Sequence, residues 1–471
     1  MTAIDTLPDD VLLEIFDVFR VSNIDFESDR NFVWNWRTLV HVCRRWRQVV
    51  FASPIRLDLQ LLCTYGTPVR KNLGFWPAFP IVIDYDDVHF VSQDPIFEDN
   101  IIAALEHPGR VRHIKLTVTN SFWRKLAPLM QKPFLALTLL SICSLEERNV
   151  PFLPSGFLGG SAPCLREIQW HGMPTLALPT LLCSASNLVD LELFDCESPP
   201  GHISPATLLT GLAMLPRLDN LSIRFVPWAW RYDRLIRETR VVLPALTSFF
   251  FEGVSTLLED FVSQIDTPML TSIDINYIDA PDTPIPQLSE FVKRSDIKPS
   301  LFRDAKIWLD DRDAIDVFLG STANPGQCPI AIHVTWCEGL YDQVSCMAQV
   351  LSRISAMLSN VVRLEIKAER PYQLEDGVEL DRINWLELLR PFTAVKMLHV
   401  SREFSEMIGD AITVMPVETV IQTLPILDLL LLEDERMTHE IRRKGLRYSV
   451  GSRLPTSYPH HPAPQKAPDE V

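Results

Sequence analysis

"NLVDLELFDC", residues 187–196, sets apolar side chains in a fixed order, Leu188-x-x-Leu191-x-Leu193. Alternation over so short a run is the period of a strand, and it sends Leu191 and Leu193 into a core. The same template, apolar-x-x-apolar-x-apolar, recurs in "CLREIQW" (164–170), "RLDNLSIRF" (217–225), "ALTSFFFEGV" (245–254) and "MLTSIDINYI" (269–278). Its anchors Leu165, Leu188, Leu218, Leu246 and Leu270 are 23, 30, 28 and 24 residues apart. Looser copies start at Val111, Phe134, Val361, Val395 and Ile426. A proline stands just ahead of many copies: Pro133, Pro163, Pro216, Pro244, Pro268 and Pro425. The chain has 36 prolines, which would break long helices or central antiparallel strands but suit the junctions of a repeat.

The template resembles the leucine-rich repeat, whose period is about 20–29 residues. That resemblance implies parallel strands joined by covering helices, with Ile168, Leu191, Leu221, Phe249 and Ile273 at equivalent inward positions. It implies also an extended concave sheet suited to a protein or peptide. An irregular α/β or α+β domain with several leucine-bearing strands is the alternative.

At 471 residues and 47% apolar content, the chain can bury a large core. Its net charge of -16 argues against a general nucleic-acid or anionic-membrane binder. The start lacks a secretory pattern, and the longest apolar run, "FLALTLLSIC" (134–143), is too short to cross a bilayer. Nine scattered cysteines without a C-x-x-C read as buried reduced thiols. Cytoplasm or nucleus is the expected location.

Before the repeats, "IDTLPDDVLLEIFDVF" (4–19) opens with Pro8 and two acids, then an apolar face of Val11, Leu12, Ile15, Phe16 and Phe19. A second helix is expected over 36–54, lined by Leu39, Val42, Cys43, Trp46, Val49 and Val50. Residues 1–29 hold eight acids and one arginine; residues 30–57 hold six arginines and no acid. So small a module leaves apolar surface that the rest of the chain or another protein must cover.

"LPDDVLLEIF" followed by "LVHVCRRWRQVVFASP" resembles the F-box. Its matching residues are Leu7, Pro8, Leu12, Ile15, Phe16, Leu39, Val42, Cys43, Trp46 and Pro54. The resemblance implies docking on the Skp-type adaptor of a cullin–RING ubiquitin ligase through Leu7, Pro8, Leu12, Ile15, Phe16, Val42, Cys43 and Trp46. The link over 18–36 is longer than usual, and Ile55-Arg56-Leu57 replaces a bulky Leu-Trp ending. Residues 56–85 resemble a large fungal group of F-box proteins. The expected fold class is therefore α/β: a small N-terminal helical F-box over 1–57, a connecting segment with first strands over 58–106, an irregular leucine-rich-repeat solenoid with a parallel sheet over 107–450, and a disordered proline-rich tail over 451–471.

No phosphate-binding loop, G-x-S-x-G or H-E-x-x-H occurs. "DDRDAID" (310–316) lacks the glycine and acid spacing of a calcium loop and reads as a solvated helix start. Cys328, Cys337 and Cys346 are nine apart with His333 between them, too sparse for zinc, so no metal or cofactor is expected. "VPWAWRYDRLIRETR" (226–240) gathers Trp228, Trp230, Arg231, Arg234 and Arg237. It is either an ordinary repeat helix or a client-binding site for an acidic or phosphorylated ligand. The leading functional expectation is a non-catalytic substrate receptor of a ubiquitin ligase, holding an unknown client protein on the repeats. An F-box scaffold without ligase function is second, and an enzyme with an unrecognised site third.

Overall fold

A computed structural model of the chain describes residues 7–22, 34–64, 67–85, 95–145, 156–172, 178–194, 205–224, 240–278, 286–298, 302–310, 314–320, 328–335, 340–368, 382–414, 422–427, 429–432 and 447–449. Two units divide the chain, residues 1–278 with 286–297 and residues 279–285 with 298–471. The stretch read as one array over 107–450 is split between them, and the tail 451–471 lies outside the described residues.

In the first unit the Pro8 carbonyl accepts the Leu12 N–H at 3.1 Å, starting α1 (Asp9–Ser22). The helix expected over 36–54 is two helices, α2 (Trp34–Val42) and α3 (Arg44–Ala52). Cys43 breaks it: its backbone is extended, and its thiol accepts the Trp46 N–H at 3.4 Å, so it caps α3. The opposed charges of the two segments meet, Arg45 with Asp9 at 2.7 Å and Arg56 with Asp17 at 3.0 Å. Leu12, Phe16, Trp36, Leu39, Val40, Val49 and Val50 form one core with Leu57, Leu59 and Phe79 from the chain beyond. Trp36 lies edge-on to Trp76 and Phe79, ring centroids 5.0 and 5.5 Å away.

The strands of this unit are β1 (Leu61–Cys63), β2 (Ile81–Tyr85), β3 (Val111–Val118), β4 (Leu139–Ser144), β5 (Glu167–His171), β6 (Asp190–Phe194), β7 (Asn220–Arg224), β8 (Val241–Val242), β9 (Ser248–Gly253), β10 (Ile265–Asp266) and β11 (Ser272–Tyr277). β8 and β10 make a separate short parallel pair. The other nine pair in chain order, each parallel to the last. Short helices fill the returns: α4 (Val69–Phe75), α5 (Pro95–Leu105), α6 (Asn120–Leu126), α7 (Leu178–Ser184), α8 (Pro205–Leu212), α9 (Ser255–Ser263) and α10 (Pro286–Arg294).

The register puts Ile168, Leu191, Leu221, Phe249 and Ile273 in one row, none more than 2% exposed, as the template requires. The row continues backward through Leu140, Ile114 and Ile83 to Cys63. A second buried row runs from Tyr85 through Leu116, Ile142, Trp170, Leu193, Ile223 and Phe251 to Ile275. Each such side chain contributes about 1.5–3 kcal/mol by burial.

The prolines explain how each strand begins. Leu165, Leu218, Leu246 and Leu270 donate their N–H groups three residues back, at 3.1–3.4 Å, closing turns whose second positions are Pro163, Pro216, Pro244 and Pro268. Proline's fixed φ suits that position. One carbonyl per repeat then accepts two N–H groups of the next: Arg166 from Val189 and Asp190, Val189 from Asp219 and Asn220, Asp219 from Thr247 and Ser248. These paired bonds hold the register.

Between β4 and β5 the turn Phe157–Gly160 has Leu158, Gly159 and Gly160 at φ of 53°, 65° and 68°. A Cβ on Gly159 would sit 2.8 Å from the Pro133 backbone nitrogen. Gly159→Ala is therefore expected to destabilise the first unit by about 1–3 kcal/mol, read as a lower urea midpoint.

In the second unit β12 (Asp304–Asp310), β13 (Ala314–Gly320) and β14 (Ile330–Thr335) pair antiparallel. "DDRDAID" thus belongs to a hairpin, Asp310 opposite Ala314, and not to a helix start. Only three residues of sequence separate the two strands, too few for a return helix. β12 also pairs parallel with β15 (Arg363–Ala368), followed in order by β16 (Met397–Val400), β17 (Leu429–Leu432) and β18 (Arg447–Ser449). Helices α11 (Leu340–Arg353), α12 (Ser355–Leu358), α13 (Arg382–Leu389) and α14 (Arg402–Val414) complete the unit. The looser copies at Val361, Val395 and Ile426 lead into β15, β16 and β17.

Glu365 on β15 takes contacts from His399 Nδ1 at 3.2 Å and Lys367 Nζ at 2.6 Å. His399 first, then Lys367, against the opposing effect of burial, hold its carboxyl down to about 2. A carboxylate with a depressed folded pKa stabilises above its unfolded value, about 4.3, and loses that contribution as pH falls toward the folded one. Glu365→Gln is expected to cost about 1–2 kcal/mol at pH 7, a gap that closes between pH 5 and pH 2. Urea melts of both proteins across that range measure it.

The cysteines depart from expectation. Cys63 is buried, its thiol pushed up to about 12 by desolvation, whereas Cys43, Cys164, Cys183 and Cys328 are exposed and Cys143 and Cys346 are half-buried. Cys164 occupies a junction turn and Cys183 the last turn of α7, places where an apolar neighbourhood in sequence is not a core position.

Candidate interaction surfaces

The eight residues matched to an adaptor contact do not share one exposed face. Leu12 and Phe16 are 0% and 1% exposed, filling the core of their own module. Trp46 is half-buried with its ring edge-on to Phe16 at 4.8 Å, Leu7 is half-buried, and Cys43 is committed to capping α3. Pro8, Ile15 and Val42 are exposed. With them stand Val11, Val18 and Phe19, so the open apolar face of α1 follows positions 11, 15, 18 and 19. Val18 was not among the sequence candidates. The signal was there: Val11, Ile15 and Val18 share a flank of α1 beside the core-facing Leu12 and Phe16, a wider apolar stripe than the core needs, with Asp10, Glu14 and Asp17 on the opposite side. Arg45 donates to Asp9 and to the Leu7 carbonyl, tying the start of α1 to α3 beside this face.

Trp228, Trp230, Arg231, Arg234 and Arg237 all lie outside the described residues. Arg240, at the end of that segment, donates to the Ser263 carbonyl at 3.0 Å.

On the first unit's sheet, the rows between the buried ones form the open face. Glu167, Asp190 and Asn220 make one row across β5, β6 and β7; Gln169, Glu192 and Ser222 make the next. With Ile168 and Leu191 beneath, they line a depression of about 350 Å³. Gln169 donates to Glu167 at 2.8 Å, and Asn220 donates to Asp190. Burial first, then Asp190 beside it, raises the Glu167 carboxyl above its ordinary value. Further along, His171 stacks on Phe194 with centroids 5.1 Å apart and pairs with Glu192 at 3.2 Å. The Cys143 side chain first, then the Glu192 carboxylate, push its pKa up to about 9. Arg224 lies over the Phe194 ring at 4.5 Å and pairs with Glu252 at 3.0 Å. These residues are the variable positions of the leucine template, and only the register brings them together.

Among the described residues no group of three or more His, Cys, Asp or Glu side chains is placed to hold a metal ion. No described helix is long and apolar enough to cross a membrane.

No family model and no curated protein matches the chain. Among solved structures, the Rad7 and Elc1 complex of yeast aligns over 93% of this chain and 92% of that chain, at 12% identity and a TM-score of 0.33. The leucine-rich repeat-containing protein LegL7 of Legionella pneumophila aligns over 80% and 91%, at 10% identity and a TM-score of 0.22. Scores this low carry no argument, and the functional reading rests on the residues above.

Proposed function

We propose that this chain is the substrate-recognition subunit of an SCF-type cullin–RING ubiquitin ligase, its N-terminal helices docking on a Skp-type adaptor and its repeats holding a client protein. One observation supports this above the others. The three helices pack on a core shared with Leu57, Leu59 and Phe79 and leave Pro8, Val11, Ile15, Val18, Phe19 and Val42 exposed, with Val18 68% and Val42 58% accessible. Apolar residues spaced along one helix face are the pattern by which an amphipathic helix fills a partner's groove. The reading assigns the chain no catalytic residue and no cofactor; its contribution to ubiquitin transfer is proximity. It places the protein in the cytoplasm or nucleus.

Co-expression of the full chain with a Skp-type adaptor and a cullin tests the assignment. A stoichiometric ternary complex on gel filtration is the expected result. Emergence of the chain alone would overturn the ligase assignment in favour of an interaction scaffold.

A further inference from the structure

We propose that Cys143, set against His171 and Glu192 on the open face of the first unit's sheet, is a nucleophilic thiol that exchanges with glutathione disulfide and similar small disulfides. The inference stands independently of the ligase assignment.

Three adjacent parallel strands bring the groups together. Cys143 near the end of β4 is the register partner of His171 at the end of β5, and neighbouring strands are about 4.8 Å apart. Both side chains lie on the open face, because Ile142 and Trp170 just before them are fully buried in the core rows. They are hydrogen-bonded to each other, and this bond is the largest cause of the raised His171 pKa. The thiol also faces the Ser144 carbonyl, a weak contact at 3.8 Å. His171 Nε2 lies 3.2 Å from a carboxylate oxygen of Glu192 on β6. The Phe194 ring, stacked at 5.1 Å and inclined by 16°, fixes the plane of the imidazole.

A nucleophile, a base in contact with it and a third group that orients the base make up the arrangement that activates a thiol. Only the thiolate attacks, so a thiol left to itself is slow at neutral pH. The imidazole here is in place to take the thiol proton, and Glu192 favours the imidazolium that results. Other charged side chains on this face are Lys115 on β3, Glu167 on β5, Asp190 on β6 and Arg224 on β7, the last paired with Glu252 at 3.0 Å. The register partner of Cys143 on β3 is the uncharged Thr117. In the exchange Cys143 gives its proton to His171, and its sulfur attacks one sulfur of glutathione disulfide. The S–S bond breaks, a mixed disulfide forms, and the expelled glutathione thiolate takes the proton from His171. The cysteine is oxidised and half of the glutathione disulfide is reduced, with no other reactant.

The test follows exchange with glutathione disulfide on the full, reduced chain, quenched with N-ethylmaleimide and read cysteine by cysteine by peptide mass spectrometry. Cys164 and Cys183, exposed in the same unit, serve as internal references, whereas Cys143 is half-buried. Exposure alone would make the references faster. The expected result is the reverse, with Cys143 gaining glutathione roughly tenfold faster than either at pH 7. Between pH 8 and pH 6 its rate should also fall less than theirs, because the neighbouring imidazolium holds the thiolate. His171→Gln should bring Cys143 to the reference rate or below and give it the references' pH profile, leaving Cys164 and Cys183 unchanged. Glu192→Gln should slow Cys143 several-fold and move its pH profile toward theirs. A Cys143 rate no greater than the references', or a fast rate that survives His171→Gln, overturns the proposal. If His171→Gln alters the reference rates by disturbing the fold, Glu192→Gln decides, and an unchanged Cys143 rate and profile in that variant overturn the proposal.

Discussion

Ile15→Asp combined with Val18→Asp is expected to abolish capture of the Skp-type adaptor and leave the chain folded. Both side chains reach solvent, at 42% and 68% exposure, so in the free protein the new carboxylates stay hydrated. In the complex they would be stripped of water without partners, at several kcal/mol each, enough to weaken binding more than a hundredfold. Circular dichroism should show a melting temperature within a few degrees of wild type. Pull-down of adaptor at wild-type strength would remove α1 from the interface. Leu12 and Phe16 are the wrong probes, because charges there would unfold the module and lose the adaptor for a trivial reason.

The second large effect belongs to the buried row of the array. Phe249→Ala should cost about 3–5 kcal/mol, the usual range for truncating a buried phenylalanine. Phe249 is 1% exposed, between Leu221 and Ile273 in register, with the rings of Phe251, Phe261 and Phe291 at 6.4, 5.9 and 6.1 Å. Its neighbour Phe250 points to the open face, and Phe250→Ala should cost less than about 1 kcal/mol. Urea melts of the two variants test the alternation directly. Equal losses would mean that β9 does not present the faces described.

These pairs show what could be read in advance. The leucine template located the parallel strands β5, β6, β7, β9 and β11 and the inward position of Phe249, because a period of two and a junction proline are local signals. The face of α1 that turns inward was not legible. Val11, Leu12, Ile15, Phe16 and Val18 are all apolar, and only tertiary packing against Trp36 and Val50 decides which are covered. Cys43 as a helix cap was missed because cysteine is a weak acceptor and an uncommon cap. The β12–β14 hairpins carry no leucine period. The acidic pair depends on two residues 23 positions apart meeting in register, which neither copy of the template announces.

The core that joins the N-terminal helices to the first strands bears on how a client trap is built. Removing residues 1–57 is the obvious way to stop delivery while keeping capture. Leu59, Trp76 and Phe79 pack against Trp36, Phe51 and the α1 side chains, with no free tether between α3 and β1: the Leu57 N–H is bonded to the Ser53 carbonyl and the Leu59 N–H to the Pro54 carbonyl. Truncation would bare that aromatic cluster beside β1, and exposed apolar patches next to strands invite aggregation. A truncated bait would then collect proteins through stickiness. The Ile15→Asp/Val18→Asp chain keeps the cluster covered, and what it retains from a cell would be client.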